Sequence, residues 1–385
     1  MADLGIAVVG FGWMGEVHAR AYTRLPQHYP QPGRRPELVM VAEADAGRRA
    51  DALARYGFGA GTGDWRDILS DSRVDAVSVT APNFLHREIG VAVAEAGKHL
   101  WIEKPVGLSV ADAEAVAAAV ATAGVQCTVG FNYRNAPAVA HAGELIGSGA
   151  IGRVTAARFR LFTDYAAHPA GALSWRFERA AGGSGVLGDL VSHGADLAEY
   201  LLGDVTELVA DTAVVVEQRP RPTGAGSHYA IAEGGELGPV QNEDWAGCLL
   251  RFASGARGSL EASRVSVGDQ NNYGFEIRGT QGLIAWDFRR MGELQVSTGT
   301  GYLNQQVSTV YVGPGQGDVA RFQPAAGISM SYDDLKVIEA AHFAASIESG
   351  VPQGATAADA VQSARIVEAI AASAQSGSWV PVRAG

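Results

Sequence analysis

Apolar residues follow two rhythms along this chain. In the first third, short unbroken runs alternate with segments of helical spacing. "LGIAVVG" (residues 4–10), "ELVMVAEAD" (37–45), "RVDAVSVTAP" (73–82), "KHLWI" (98–102) and "VQCTVGF" (125–131) read as strands buried on both faces. Between them, "FLHREIGVAVAEAG" (84–97) and "VADAEAVAAAVATAG" (110–124) read as helices. Strands joined by helices of this length imply right-handed crossovers and a parallel sheet covered on both sides. The proline-rich "LPQHYPQPGRRPE" (25–37) is expected to be a loop.

From about residue 131 the rhythm changes. "FNYRNAPAVAHAGELIGSGAIG" (131–152) suggests a connecting helix, and "GRVTAARFRLFTDY" (152–165) alternates as a strand with one exposed face does. Further strand-like runs cover 205–218, 244–265, 272–288, 292–298 and 305–313, close enough together for an antiparallel sheet with hairpin turns. Two late segments, 331–350 and 356–376, read as helices that bury one side on a domain.

Composition narrows the picture. A chain of 385 residues is too long for one ordinary core, and with 47% apolar and 18% charged residues it has material for two. Thirty basic against 41 acidic residues leave a net charge of −11, which argues against nucleic acid or an anionic membrane as partner. No run approaches the length of a membrane span and the start, "MADLGIAVVGFG", carries no basic leader. Cys127 and Cys248 are isolated in apolar stretches, so buried thiols are expected rather than a disulfide or a zinc site. The expected setting is cytoplasmic, with no metal.

Candidate chemistry begins where the first strand ends. "GFGWMG" places Gly10, Gly12 and Gly15 as G-x-G-x-x-G, which allows a tight turn, a close approach of backbone to a pyrophosphate, and a helix packed near the strand. The second strand ends in Glu43, a carboxylate able to accept from ribose hydroxyls and to repel a 2′-phosphate, so NAD is expected in preference to NADP. Arg48 and Arg49 could serve a 2′-phosphate or form the solvated face of the next helix. Ligands of such sheets lie at the carboxyl ends of the strands. "TAPNFLH" supplies Pro82, Asn83 and His86 there, with Asn83 a candidate helix cap as well, and "HLWIEKPVGLS" supplies Lys104. The fold expected is an α/β dinucleotide-binding Rossmann domain over 1–130, then an α+β C-terminal domain over 131–385 with a large open, mainly antiparallel sheet, for substrate and oligomerisation.

One later segment is unusually polar for a packing helix. In "GGSGVLGDLVSHGADLAEYLLG" (182–203), Asp189 and His193 lie four apart on one face, Asp196 lies one turn on, and Leu190, Leu197 and Leu201 supply the packing side. A carboxylate stacked with an imidazole can form a tuned base or hold a metal; a capping aspartate beside a solvated histidine is the plain alternative.

Taken in order, "GFGWMG", "TAPNFLH", "EKP", "VGFNYR" and the Asp-x-x-x-His segment resemble the Gfo/Idh/MocA family of NAD(P)-dependent sugar and cyclitol oxidoreductases over essentially the whole chain. "LSWRF", "NNYGFEIRGTQGLIAW" and "GELQV" look like its levoglucosan-oxidising branch. The resemblance implies Lys104, Asp189 and His193 as the catalytic set, with Lys104 on the reacting hydroxyl, His193 as base and Asp189 orienting the substrate or His193. The family's Lys-Pro bond is often cis. For the cofactor it implies Gly10, Phe11, Gly12, Trp13, Met14, Gly15, Glu43, Thr80, Pro82, Asn83, His86, Glu103, Lys104 and Asn132. For the substrate it implies Tyr133, Arg134, Asp164, Trp175 and Arg176 besides the catalytic set, where Arg176 could equally be an ion-pair residue and Trp175 core, with Asp244, Asn271 and Asn272 as weaker candidates.

The function expected is oxidation of a secondary hydroxyl of a sugar, anhydrosugar or cyclitol to a ketone, at C3 of a pyranose if the levoglucosan-like branch is right. An inositol 2-dehydrogenase, an NAD-using glycosidase and a cofactor-sensing protein without chemistry are the rivals. A homodimer or homotetramer is expected, since an open sheet face commonly pairs with a second copy.

Overall fold

A computed structural model describes residues 3–30, 33–222, 231–232 and 234–382. In chain order the elements are β1 (Leu4–Val9), α1 (Trp13–His28), β2 (Pro36–Ala42), α2 (Ala46–Tyr56), β3 (Ala60–Thr62), α3 (Arg66–Ser70), β4 (Ala76–Val79), α4 (His86–Glu95), β5 (His99–Ile102), α5 (Val110–Ala123) and β6 (Cys127–Val129). There follow α6 (Pro137–Gly147), β7 (Val154–Phe162), α7 (Arg179–Gly182), α8 (Ser192–Leu202), β8 (Val205–Ala213), β9 (Gln218–Pro220), β10 (Leu237–Pro239), β11 (Trp245–Phe252) and β12 (Arg257–Ser263). The remainder is β13 (Asn272–Gly279), β14 (Gly282–Asp287), β15 (Glu293–Thr298), β16 (Ser308–Tyr311), α9 (Val319–Phe322), α10 (Tyr332–Ser349), α11 (Ala357–Ser376) and β17 (Val380–Pro381).

These elements form two compact units. The first comprises Met1–Asn135, Asp318–Pro324 and Met330–Val361. Its sheet is parallel throughout, in the order β3-β2-β1-β4-β5-β6, so the strand order reverses beside β1. Strands β1 and β4 are buried at every position, which is why their sequences run apolar without alternation. Crevices of such sheets open at the carboxyl ends beside the reversal.

Two expectations change here. Helix α1 runs through Pro26 to His28 instead of yielding to a loop. Tertiary contacts hold its last turn, for Leu25 is fully buried and His28 stacks on Phe322 at 4.3 Å and meets the Arg321 carbonyl at 3.0 Å. Nor does everything after residue 130 belong to the second unit. Helix α10 returns to the first, where Asp333 and Asp334 pair with Arg20 and Arg24 of α1, and Val337, Ala340 and Phe343 join the core of Leu4, Ile6, Tyr22 and Trp101.

The second unit comprises Ala136–Gly317, Ala325–Ser329 and Gln362–Gly385. Its nine-stranded sheet has the order β16-β15-β14-β13-β7-β12-β11-β8-β17. Every neighbouring pair is antiparallel except β7 with β12.

Candidate active site

The first unit assembles its candidate residues along the edge where β1, β2, β4, β5 and β6 end. Gly10 has φ +82°, and a Cβ there would lie 2.9 Å from the Ala81 backbone. A Cβ on Gly15 would lie 2.3 Å from the Gly10 carbonyl oxygen, so the turn and the helix after it close only on glycine. Gly12 faces open space and precedes α1 with no side-chain cap. Thr80 secures the turn by donating its hydroxyl toward the carbonyls of Gly10 (2.6 Å) and Val9 (3.1 Å).

Glu43 follows β2 and is held by three donors. Its Oε2 accepts from the Phe11 amide (2.7 Å), and its Oε1 accepts from the Asp45 amide (2.8 Å) and Arg48 Nη2 (2.9 Å). Burial alone would raise its pKa, but these hydrogen bonds outweigh burial and keep it below the ordinary carboxylate value. Phe11 thus spends its amide on Glu43, and its ring packs edge-on to Tyr56 and Phe58; its expected cofactor contact gives way to a core role. Trp13 is 58% exposed and stacks on Tyr332 at 5.3 Å, while Met14 Sδ accepts a weak bond from the Tyr332 hydroxyl.

Three further expectations are corrected. His86 is buried, with Nδ1 2.7 Å from the Pro105 carbonyl and Nε2 2.7 Å from the Ala81 carbonyl. The ring lies between the two carbonyls and, as a neutral imidazole with one N–H, donates to one of them, so its place is the packing between two strand-end turns. Glu103 is likewise buried, its carboxylate accepting from Lys336 Nζ (2.5 Å) and facing His18 Nε2 (3.0 Å). Asn83 caps no helix; it opens a short 3-10 turn, Asn83–Leu85, that follows Pro82.

Lys104 is half-buried two residues after β5 and precedes Pro105 across a cis peptide bond. After β6 comes Asn132, buried, with neither its amide oxygen nor its amide nitrogen partnered among the described residues. An orphaned amide of this kind awaits a polar ligand. The open glycine turn, the fixed Glu43 carboxylate and the Asn132 amide together suit a dinucleotide with a carboxamide-bearing ring. Tyr133 is buried, and Arg134 pairs with Asp359 at 2.9 Å through one guanidinium nitrogen.

The second unit places the carboxylate–imidazole segment differently from a plain helix. Leu187–Val191 form a π-helical turn that contains Asp189, and α8 begins at Ser192, so a widened turn lies between Asp189 and His193. The helix is buried continuously from Ser192 to Ala198, and its solvent-facing polar positions, Glu199 and Tyr200, come only after that stretch. His193 is only 8% exposed and Asp196 is buried, which removes the solvated-histidine alternative. Asp189 is not the N-cap of either segment, and its Oδ2 accepts from the Tyr165 hydroxyl at 2.5 Å.

Around this segment, Asp164 accepts from Gln270 Nε2 at 2.7 Å, and the Arg176 guanidinium lies over the Trp175 ring at 4.6 Å. Asp244 is fully buried in an ion pair with Arg264 at 2.8 Å and also accepts from the amides of Val215 and Val216, a structural role in place of the sugar contact considered for it. Asn271 has φ +48°, and Asn272 accepts from Arg160 Nε while donating to Asp269. The residue that sequence reasoning passed over is Tyr165. It sits in an irregular stretch after β7, where no periodicity marks a functional side chain.

Among the described residues no group of three or more His, Cys, Asp or Glu side chains could hold a metal ion, and no helix is long and apolar enough to cross a membrane.

Comparison with known proteins accords with this geometry. Residues 4–131 match the oxidoreductase family with an NAD-binding Rossmann fold, and residues 139–285 match the GFO/IDH/MocA C-terminal domain. The chain is 37% identical over 385 residues to levoglucosan dehydrogenase of Pseudarthrobacter phenanthrenivorans, covering 99% of each protein. It is 32% identical over 284 residues to scyllo-inositol 2-dehydrogenase (NAD(+)) of Bacillus subtilis, covering 72% of each. A solved structure of levoglucosan dehydrogenase in complex with NADH and levoglucosan superposes with a TM-score of 0.93 at 37% identity, over 99% of this chain and 100% of that one. With both halves matched, the chain belongs to the Gfo/Idh/MocA family of oxidoreductases, with an NAD-binding Rossmann fold.

Proposed function

We propose that this chain is an NAD-dependent dehydrogenase that oxidises a secondary hydroxyl of a pyranose or anhydrosugar, at C3 of a levoglucosan-like ring, to the ketone. The observation that carries this reading is the near full-length identity with levoglucosan dehydrogenase. Gly10, Gly12, Gly15, Glu43 and Asn132 would hold the cofactor, and the bound nicotinamide supplies the hydride acceptor. Lys104 donates a hydrogen bond to the reacting hydroxyl and stabilises negative charge developing on its oxygen. His193 takes the hydroxyl proton, and the Asp189 carboxylate favours the imidazolium so formed. Trp175 offers a flat apolar surface to the C–H face of the sugar, and Asp164 offers an acceptor.

A panel of anhydrosugars, pyranoses and inositols, followed at the NADH absorbance, tests the reading. Levoglucosan or a close analogue should give net NADH. Release of an aglycone with no NADH would point instead to a glycosidase that oxidises only transiently. Replacing Lys104 by alanine should lower turnover by roughly a hundredfold to ten-thousandfold while leaving NAD affinity nearly unchanged; full activity would remove Lys104 from the mechanism. We further propose a cytoplasmic homodimer or homotetramer, for which light scattering is the check.

A further inference from the structure

The second unit holds one polar contact with Asp189 that the proposed chemistry has not yet used. Tyr165 lies three residues beyond β7, and its hydroxyl donates to Asp189 Oδ2 at 2.5 Å. Burial first, and then the neighbouring Asp189 charge, push the phenol well above its ordinary pKa of 10. It therefore keeps its proton at any working pH and acts as a donor.

The backbone around Tyr165 is anchored on both sides. The Thr163 amide donates to the Ser263 carbonyl (2.9 Å) and the Ala166 amide to the Arg264 carbonyl (3.0 Å). The carbonyls of Ala166 and His168 accept from the buried Arg219 guanidinium. The ring rests against the cluster of Ala166, Leu173, Phe177 and Val240. A donor fixed this firmly is ordered before substrate arrives, and it meets its carboxylate in the π-helical turn where the helical spacing is broken.

We propose that Tyr165 is a positioning residue for Asp189: it holds the carboxylate in one orientation and keeps it ionised for its work beside His193. This rests on the proposed dehydrogenase reading. The charged groups facing Tyr165 are Asp189, Arg264 and Arg176. Arg264 is itself paired with Asp244 and is held above its ordinary pKa, so it contributes no limb to a pH profile. The proposed mechanism assigns the acidic limb of turnover to the Asp189 carboxylate and the His193 base.

The test measures kcat and KM against pH for two variants at this position. Tyr165→Phe removes a hydrogen bond from an ionised carboxylate, which then holds a proton more tightly; the acidic limb should move up by about one pH unit and plateau kcat fall about tenfold, with NAD affinity unchanged. Incorporating 3-fluorotyrosine at 165 keeps the ring and strengthens the donor, so the limb should move the other way. This second variant also decides the matter if the phenylalanine variant folds poorly. Unchanged limbs in both, or a loss of activity without any shift, would overturn the proposal. Asp189→Asn in the same assay separates the two levels. If it is crippled while both Tyr165 variants keep the parental profile, the dehydrogenase reading stands and the positioning role falls. If it is fully active, Asp189 leaves the mechanism and Tyr165 has nothing to position.

Discussion

Glu103 and Asp189 are both carboxylates beside a residue of the proposed catalytic set, one next to Lys104 in the chain and the other a widened turn before His193, yet they are housed in opposite ways. Glu103 lies in a buried ionic cluster with Lys336, His18 and Glu339, where Lys336 Nζ bridges Glu103 (2.5 Å) and Glu339 (3.1 Å). The Trp101 indole donates to Glu339, and the His18 ring stacks on Trp101 at 3.7 Å. Asp189 receives its bond from a neutral phenol and is only partly buried. In the first cluster a cation is consumed internally and the carboxylate is tied to the core. In the second, the hydrogen bond on the carboxylate comes from a neutral phenol, and the neighbouring Arg264 guanidinium, which feels the Asp189 charge, is itself bound to Asp244. The difference separates a carboxylate locked by a buried cation from one held by a phenol.

The sharpest way to break this comparison is to remove the cation of the lock. Lys336 is fully buried, and although burial opposes its charge, Glu103 and Glu339 hold its pKa above the ordinary lysine value. Lys336→Met strands two buried carboxylates, and urea denaturation should show a loss of about 3–5 kcal/mol. Adding Glu103→Gln and Glu339→Gln in the same chain should recover most of it, because an apolar or neutral replacement of a buried ionic group is well tolerated. A cost below about 1 kcal/mol for Lys336→Met, the range of an exposed pair, would mean that the cluster locks nothing.

A second effect concerns where the cluster keeps its protons. Two carboxylates share one ammonium, so one of them gives way. Burial and the Glu103 charge push Glu339 up to about 7, whereas Lys336 and His18 outweigh burial and hold Glu103 well below the ordinary value. Burial lowers His18 to about 4 against the Glu103 hydrogen bond. Their linkage to stability has opposite signs. Between about pH 4 and 6.5 the unfolded chain binds a proton at His18 that the fold excludes, so this contribution grows as pH rises. Between about 4.5 and 7 the fold holds a proton on Glu339 that the unfolded chain has released, so this contribution is lost as pH rises. Across the shared window the two nearly cancel. Glu339→Gln removes the second, and its stability should rise from pH 4.5 to 6.5 by about 2 kcal/mol more than that of the parent. Parallel pH profiles in the two proteins would place the proton elsewhere.

The same contrast explains what could be read beforehand. The parallel sheet was legible because strands buried on both faces leave unbroken apolar runs, as in β1 and β4. Strand β3, the three residues "AGT" at the sheet edge, leaves no such trace and was missed. Motif spacing located Glu103 and Lys104 but not their directions. Both residues lie just past β5, where no strand alternation assigns a direction, and the fold buries Glu103. The return of α10 was hidden because Asp334 meets Arg24 across 310 positions, a pairing with no local signature. Tyr165 and Asp189 meet between an irregular loop and a π turn, and neither carries a period that a pattern could detect. Arg134 illustrates the same limit: its partner Asp359 is a carboxylate that only the fold brings near.

A third carboxylate refines the comparison at its weakest end. Glu43 also follows a parallel strand and also bonds a cation, but that cation, Arg48, has a side chain that is 55% exposed, and two backbone amides do the rest of the holding. Fixed by amides rather than by charge, Glu43 should keep its place when the arginine is removed. Arg48→Ala should therefore cost less than about 1 kcal/mol in urea denaturation, and the cost should shrink further in high salt, which screens an exposed pair and hardly touches a buried one. The Lys336→Met deficit should persist under the same salt. If Arg48→Ala proved as costly as Lys336→Met, charge rather than burial and backbone amides would be what anchors Glu43, and the division between locked and usable carboxylates would have to be redrawn.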